Sequence, residues 1–128
     1  AWLNEKLTRP LDSSVAYSDA RHANVIPRCI QDTGNGYADH LTLESAARSQ
    51  FLSPDYLSRI FSKETGTSFN RYLNNVRITK AKELIRSSDL RLTDISQMVG
   101  YDDQSYFTKV FRRIAGMSPN EYRKKVRS

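Results

Sequence analysis

Two basic side chains, Arg59 and Lys109, occupy matching positions in two segments that repeat at an offset of 50 residues. The apolar, glycine, serine and tyrosine positions around them match as well. The matched pairs are Tyr56/Tyr106, Leu57/Phe107, Ile60/Val110, Phe61/Phe111, Gly66/Gly116, Ser68/Ser118 and Tyr72/Tyr122. Guanidinium and ammonium groups donate hydrogen bonds and attract anions. Two matching basic units therefore indicate one partner that itself repeats, as double-stranded DNA does.

The positive charge of the chain is concentrated in the part that repeats. The sequence carries 20 Lys and Arg against 14 Asp and Glu, a formal net charge of +6. Residues 1–41 hold four of the basic and five of the acidic residues, so their net charge is −1. Residues 42–128 hold the other sixteen basic and nine acidic residues, so theirs is +7. This asymmetry indicates a polyanionic partner, and the alternative is a domain whose basic charge is incidental.

Catalytic and metal chemistry have little support in the sequence. Cys29 is the single cysteine, which excludes an internal disulfide and a multi-cysteine zinc site. His22 and His40 stand too far apart to indicate a metal pair. We find no Ser/His/Asp set, P-loop or Gly-rich dinucleotide turn, so we predict no enzymatic activity, no metal and no cofactor. No apolar run approaches the roughly 18 residues of a membrane-spanning helix and no signal peptide is visible, so we expect a cytoplasmic protein without a membrane partner.

The elements that would position the basic side chains become clear only after residue 41. We expect residues 1–24 to be a linker or the end of an upstream domain. Val25, Ile26, Ile30 and Tyr37 then recur at a helical period that Gly34 and Gly36 interrupt. Because each interior glycine costs about 1 kcal/mol relative to alanine, this first helix should be short, frayed or held only by packing.

Capping residues outline a helix-turn-helix next. Thr42 can cap a helix near 43–50 whose third position is Ser45, and Ser53 can cap a helix near 54–64 with Pro54 at its first position. Gly66 ends this second helix. Two short helices separated by three residues are the helix-turn-helix arrangement.

The same order of signals follows in the second half. Ser68 can cap a long helix that ends near Ser87, with an inward stripe of Phe69, Tyr72, Leu73, Val76, Ala81, Leu84 and Ile85. Thr93 can cap a helix that carries Ile95, Met98 and Val99 and stops at Gly100. Asp102 or Asp103 can cap the following helix, and Ser118-Pro119 opens the last one. We predict an all-α fold of about seven helices, with two helix-turn-helix subdomains joined by a long linker helix.

The stretch from Leu41 to Tyr122 resembles the DNA-binding domain of the AraC/XylS family of bacterial transcription regulators. The segments that carry the resemblance are LSPDYLSRIFSKETGTSFNRYL (52–73), VRITKAKELI (76–85) and DISQMVGYDDQSYFTKVFRRIAGMSPNEYR (94–123). Ser96 departs from the family, which usually has alanine there. A serine fits if its hydroxyl bonds back to the preceding turn. The resemblance implies two units that each insert their second helix into the major groove.

The resemblance also implies domain boundaries. The DNA-binding domain would span 25–128, with the first helix-turn-helix at 42–66, the linker helix at 68–87, the second helix-turn-helix at 93–115 and a C-terminal helix at 118–127. The preceding residues are too few for the family's signal-receiving domain, and the chain begins at Ala1 and not at Met. We therefore expect an upstream sensor or dimerisation domain in a longer protein.

The second helix of each unit must pack with one face and show the other to DNA. Inward apolar residues leave seven outward candidates for base contacts: Asp55, Ser58, Arg59, Gln104, Ser105, Thr108 and Lys109. Arg59 suits guanine O6 and N7, and Gln104 suits adenine N6 and N7. Lys109 could take guanine or phosphate. Asp55 could accept from cytosine N4 or only cap its own helix. Tyr56 and Tyr106 are expected to be core residues or supports of the groove edge and not to read bases.

Backbone contacts need cations and helix N-termini. The candidates are Thr42, Ser62, Lys63, Arg71, Thr93, Arg112 and Arg113, with a solvated surface charge as the alternative for each cation. Arg77 lies on the linker helix, where it could pair with a nearby carboxylate instead of DNA.

Three functions remain open at this stage. The first is sequence-specific binding of double-stranded DNA by a bacterial transcription regulator, and the family resemblance implies an activator that contacts RNA polymerase. The second is a DNA-repair enzyme with a cysteine-based alkyl-transfer domain, which a chain with one cysteine supports poorly. The third is a protein-interaction module, which salt dependence of DNA binding would separate from the first.

Overall fold

A computed structural model of the chain describes residues 24–127, and every regular element in that range is an α-helix. The seven helices are α1 Val25–Gly36, α2 Leu43–Ser49, α3 Pro54–Thr65, α4 Phe69–Ser87, α5 Leu92–Met98, α6 Gln104–Ala115 and α7 Pro119–Arg127. The predicted all-α fold with two helix-turn-helix units and a linker helix is confirmed. The predicted linker at 1–24 lies, except for Asn24, outside the described residues. Within the described range no helix is long and apolar enough to cross a bilayer.

Helix α1 is longer and more regular than its glycines predict. It runs unbroken through Gly34 to Gly36 and buries Val25, Ile26, Cys29 and Thr33. Ile30, which shares the helical period of these residues, is 37% exposed. Of the expected alternatives, packing is the one that the structure shows, because the buried residues join a shared core and offset the cost of the glycines.

Side-chain caps start most of the helices as predicted. Thr42 and Ser45 form a reciprocal capping box on α2, and Ser53 and Ser68 accept from the third backbone amides of α3 and α4. Asp103, and not Asp102, caps α6 by accepting from the amide of Ser105.

Helix α5 departs from the prediction. It begins at Leu92 after Arg91, with no side-chain cap, so the prediction that Thr93 caps it is wrong. Leu92 packs against the core of the second unit, which draws it into the helix and places Thr93 within the first turn. Ile95 and Val99 are buried as predicted, but Met98 is 48% exposed. The Ser96 hydroxyl donates to the carbonyl of Thr93 at 2.8 Å, as a serine at this buried site requires.

Helix α4 contributes to two separate cores. Phe69 and Leu73 lie in the core of the first unit, whereas Ile78, Ala81 and Ile85 lie in that of the second. Not every residue of the predicted inward stripe is buried, because α4 serves two cores. Tyr72, Val76 and Leu84 are only half-buried. The boundary between the two units therefore falls between Leu73 and Ile78.

Arg77 lies at this boundary and holds the two units together. Its Nε donates to the carbonyl oxygen of Tyr37 at 2.7 Å and its Nη2 to that of Asp39 at 3.1 Å. Its guanidinium carbon lies 5.3 Å from the centre of the Tyr101 ring. The predicted pairing with a carboxylate is wrong, because the end of α1 supplies carbonyl oxygens instead. Burial lowers the pKa of Arg77 from its usual value.

The turns inside the two helix-turn-helix units differ by one residue. Four residues separate α2 from α3, and five separate α5 from α6. Phe51 and Gly100 hold equivalent places directly after the first turn residue, and both have positive φ, 59° and 107°. Phe51 is also 96% exposed. The first unit thus places a bulky side chain where the second has glycine.

Candidate nucleic-acid interface

The second helix of the first unit, α3, separates apolar from polar side chains along its length. Leu57 and Phe61 are fully buried, and Phe61 packs edge-on against Phe69 at 5.6 Å between ring centres. On the opposite side Asp55 and Arg59 are exposed, and Ser58 is half-buried. The predicted outward face of α3 is therefore open to a partner.

The second helix of the second unit, α6, has the same division. Its buried side chains are Phe107, Val110 and Phe111, with no exposed surface. The predicted base-contacting residues lie away from this core: Gln104, Ser105 and Lys109 are exposed and Thr108 is half-buried. Each unit thus presents one polar helix face whose position is fixed by a core on the other side.

The two basic residues at the matching positions are available for binding. Within residues 24–127, neither Arg59 nor Lys109 forms an ion pair. Arg59 lies 5.8 Å from the centre of the Tyr56 ring, which places its guanidinium beside an aromatic face. Neither basic group would have to break an ion pair with a carboxylate in order to bind an acceptor.

Asp55 occupies the first turn of α3, but it is not the cap. Ser53 fills that place, and its hydroxyl accepts from the amide of Tyr56 at 3.1 Å. The alternative that Asp55 only caps its own helix is therefore wrong. Its exposed carboxylate remains the one acceptor-only group among the predicted base-contacting residues.

The residues predicted to meet the DNA backbone all reach the surface. Thr42, Ser62, Lys63, Arg71, Thr93, Arg112 and Arg113 are exposed. The Thr42 hydroxyl already accepts from the amide of Ser45 at 3.0 Å, so its acceptor role is partly used. A phosphate contact by any of these residues stays a prediction.

A polar crevice between α4 and α6 brings two of these cations together. Arg71 and Arg113, predicted separately, both line it, and its volume is about 620 Å³. The other lining residues are Asn70, Asn74, Asn75, Tyr106 and Ile114. The three asparagines were not among the residues predicted from the sequence. Their signal was a polar face on α4 at positions i, i+1, i+4 and i+5 from Asn70.

Comparison with known proteins places this arrangement among regulators. Residues 46–125 match a family model described as a helix-turn-helix domain. An uncharacterized HTH-type transcriptional regulator, YijO of Escherichia coli, is 40% identical over 92 residues, which cover 72% of this chain and 32% of YijO. The HTH-type transcriptional activator RhaR of Yersinia pseudotuberculosis is 33% identical over 107 residues, 84% of this chain and 36% of RhaR. The chain thus spans about a third of either relative.

A solved structure shares the fold at similar identity. It is the C-terminal domain of AraT, a response regulator from Geobacillus stearothermophilus. The two chains are 40% identical with a TM-score of 0.77, and the match covers 79% of this chain and 84% of that one.

Proposed function

The chain belongs to the AraC/XylS family of transcription regulators as a helix-turn-helix DNA-binding domain, and we propose that it reads double-stranded DNA through two successive major grooves. In this proposal α3 enters one groove and α6 the next, and a single chain covers the whole site. The DNA-binding domain spans 25–128, with its two helix-turn-helix units at 42–66 and 93–115.

The observation that carries the proposal is the pair of polar helix faces on α3 and α6, each backed by its own core. Helix-turn-helix proteins read DNA with the second helix of the motif. Most of them need a dimer to bring two such helices to the duplex. Here one chain supplies both, so a site with two half-sites can be bound by a monomer.

The length of α4 suits this mode of binding. Its 19 residues make a rod of about 28 Å. Successive major grooves on one face of B-DNA repeat at roughly 34 Å. Because α4 packs into both cores, it can hold the two reading helices at nearly one turn of the duplex.

Base recognition would rest on a few side chains. Arg59 can donate two hydrogen bonds to guanine O6 and N7, and Gln104 can pair with adenine N6 and N7. Asp55 can accept from cytosine N4, and Lys109 can meet either guanine or a phosphate. Ser58, Ser105 and Thr108 supply shorter hydroxyl contacts on the same faces.

Contacts to phosphates would fix the register of the domain on the duplex. Lys63, Arg71, Arg112 and Arg113 are the cations suited to this role, and Thr42, Ser62 and Thr93 are the hydroxyl candidates. These contacts add affinity for any sequence and make binding depend on salt.

Activation of transcription is part of the proposal, and its support is the relative RhaR, which is named a transcriptional activator. The domain would bring a surface of the full-length protein next to RNA polymerase. Both relatives are more than twice as long as this chain, which supports an upstream sensor or dimerisation domain. Binding to the bacterial genome in turn supports a cytoplasmic location.

Footprinting on a duplex selected from a random pool tests the proposal. Two protected segments about 10 base pairs apart on one face of the DNA are expected. The matched control is a variant with Arg59→Ala and Lys109→Ala, which should lose the selected site but keep weak binding to any duplex. A single protected segment at saturating protein would contradict the two-groove mode, and salt-independent binding would favour a protein-interaction module.

A further inference from the structure

We propose that the crevice between α4 and α6 binds the sugar-phosphate backbone of the DNA segment that lies between the two major grooves. This inference rests on the proposed function, because it assumes that α3 and α6 both engage the duplex. It assigns a third contact region to the domain, which reads no base and lies between the two reading helices.

Apart from Ile114, every side chain that lines the crevice carries a hydrogen-bond donor, and none of them is a carboxylate. Arg71 and Arg113 supply guanidinium groups, the asparagines supply amide NH₂ groups, and Tyr106 supplies a phenolic hydroxyl. Phosphodiester oxygens only accept hydrogen bonds and carry negative charge. The lining is therefore complementary to a phosphodiester in both charge and donor type.

The two arginines are not neutralised by neighbours. Both are exposed, and within residues 24–127 neither forms an ion pair. They approach the crevice from different helices, since Arg71 belongs to the first turn of α4 and Arg113 to the last turn of α6. Two unpaired cations that converge from separate elements on one cavity are a stronger indication of an anion than either cation alone.

The crevice is too large for a single water or ion. Its volume of about 620 Å³ is near twenty times the share of one water in the liquid, about 30 Å³. A stretch of backbone with its sugar fits such a space better than an isolated small anion does. One wall is also held in place, because the Tyr101 hydroxyl and the Asn74 side-chain oxygen are 2.6 Å apart in a hydrogen bond.

The position of the crevice fits the path of the DNA. Tyr106 lies in the first turn of α6 directly after the predicted base-contacting Ser105, so the crevice begins beside the reading end of that helix. Its other wall is the N-terminal half of α4, which packs against the first unit. A duplex that meets both reading helices must carry its intervening minor groove and backbone past this space.

A backbone contact at this place would confer specificity without base contacts. The central base pairs must let their backbone approach the crevice, and the cost of that approach depends on how easily the sequence bends. The selected sites should therefore favour flexible steps between the half-sites, at positions that no reading residue reaches.

Methylphosphonate substitution tests the inference on the selected duplex. Each substitution removes the charge of one phosphate, and removal at the central phosphates should weaken wild-type binding about tenfold. Arg113→Ala and Asn75→Ala should weaken binding to the unmodified duplex and lose most of the sensitivity to the central substitutions. Arg113→Ala should also lower the slope of log affinity against log salt by about one unit.

Arg86→Ala is the matched control, because Arg86 lies on the same helix α4 but at its far end, with its guanidinium on the Tyr122 hydroxyl at 2.7 Å. It removes the same charge and should keep full sensitivity to the central phosphates. Circular dichroism of each variant verifies that it folds. If wild-type protein protects both segments but ignores the central substitutions, or if Arg113→Ala behaves like Arg86→Ala, the crevice inference is wrong and the proposed function stands. If wild-type protein protects no more than one segment, the proposed function itself fails.

Discussion

A Cβ atom built on Gly100 would lie 2.6 Å from the carbonyl oxygen of Tyr37, closer than real Cβ atoms approach other atoms. The same Cβ atom would lie 2.8 Å from the Arg77 Nε. Three distant parts of the chain therefore meet at this point: the end of α1, the middle of α4 and the turn before α6. A side chain here would push against backbone and against a guanidinium that is itself held by hydrogen bonds.

Gly100→Ala should lower the free energy of unfolding by more than the roughly 1–3 kcal/mol of backbone strain alone, since φ at Gly100 is 107° and the new methyl group also clashes. Gly34→Ala is the matched control, because it lies within α1 with no atom near its missing Cβ. It should be neutral or stabilise by up to about 1 kcal/mol. Urea unfolding followed by circular dichroism measures both, and equal values would contradict the clash.

Phe51→Gly should stabilise the domain by about 1 kcal/mol, because it relieves a left-handed conformation in a side chain that is 96% exposed. Phe51→Val should destabilise it, since a β-branched residue tolerates positive φ even less. The melting temperatures of the two variants, measured by thermal unfolding, show which of them is the more stable. The same melting temperature for both would show that the turn relaxes to another conformation.

Arg59→Ala should cost about 1–3 kcal/mol of binding free energy and relax preference at one base position, if Arg59 reads guanine. Arg112→Ala, if Arg112 meets only phosphate, should weaken binding to every sequence alike and reduce the salt slope by about one unit. Titrations against the selected duplex and a random duplex at several salt concentrations separate these effects. Equal losses on both duplexes for Arg59→Ala would remove it from the base-reading set.

Insertion of two alanines between Asn75 and Val76 should break the contacts of Arg77 with the first unit, rotate the second unit by about 200° and shift it by about 3 Å. The site is chosen before Arg77 because an insertion after Lys80 would separate Ile78 from Ala81 within the second core. Affinity for the full site should fall to that of one half-site, with a footprint of one segment.

Four inserted alanines are the control for helical phase. They rotate the second unit by about 400°, which leaves it roughly 40° from its original direction, and shift it by about 6 Å. Part of the affinity should return. Full affinity with two alanines would show that α4 acts as a flexible tether.

The Cys29 thiol should react with a thiol reagent at pH 8 only when the domain unfolds. It is 2% exposed, and burial, with a smaller contribution from Asp32, raises its pKa to about 11 from the usual 9.0. In the native state the Cys29 thiol therefore stays protonated above pH 9, whereas in the unfolded state it loses its proton there. The stability that this provides is fully present below pH 9 and is lost as the pH rises through 11. Equal reaction rates with and without urea would contradict this burial.

Local interactions made much of the fold predictable. Thr42, Ser53 and Ser68 were identified as caps because each bonds an amide three residues away, within the reach of a sequence motif. The polar faces of α3 and α6 followed from the apolar period of three and four residues. These features depend on neighbours along the chain, which a sequence displays directly.

Features that depend on distant contacts were missed or mistaken. The carbonyl partners of Arg77 lie about forty residues away along the chain, so no residue near Arg77 in the sequence predicts them. The residues of α1 alone could not decide whether packing would hold the helix through Gly34, and burial of Leu92 displaced Thr93 from the cap. The crevice exists only because α4 and α6 meet, and no spacing within either helix predicts that meeting.

The groups at the end of the first unit that accept from Arg77 belong to the backbone and not to side chains, which bears on how the two halves could be exchanged between related proteins. Any first unit whose chain follows the same path at the end of α1 offers the same two carbonyls, whatever its sequence there. A second unit that has an arginine and a glycine at the positions of Arg77 and Gly100 therefore supplies every side chain that this contact needs. Hybrid regulators joined just before Arg77 should therefore assemble correctly, and new operators could be addressed by recombining halves.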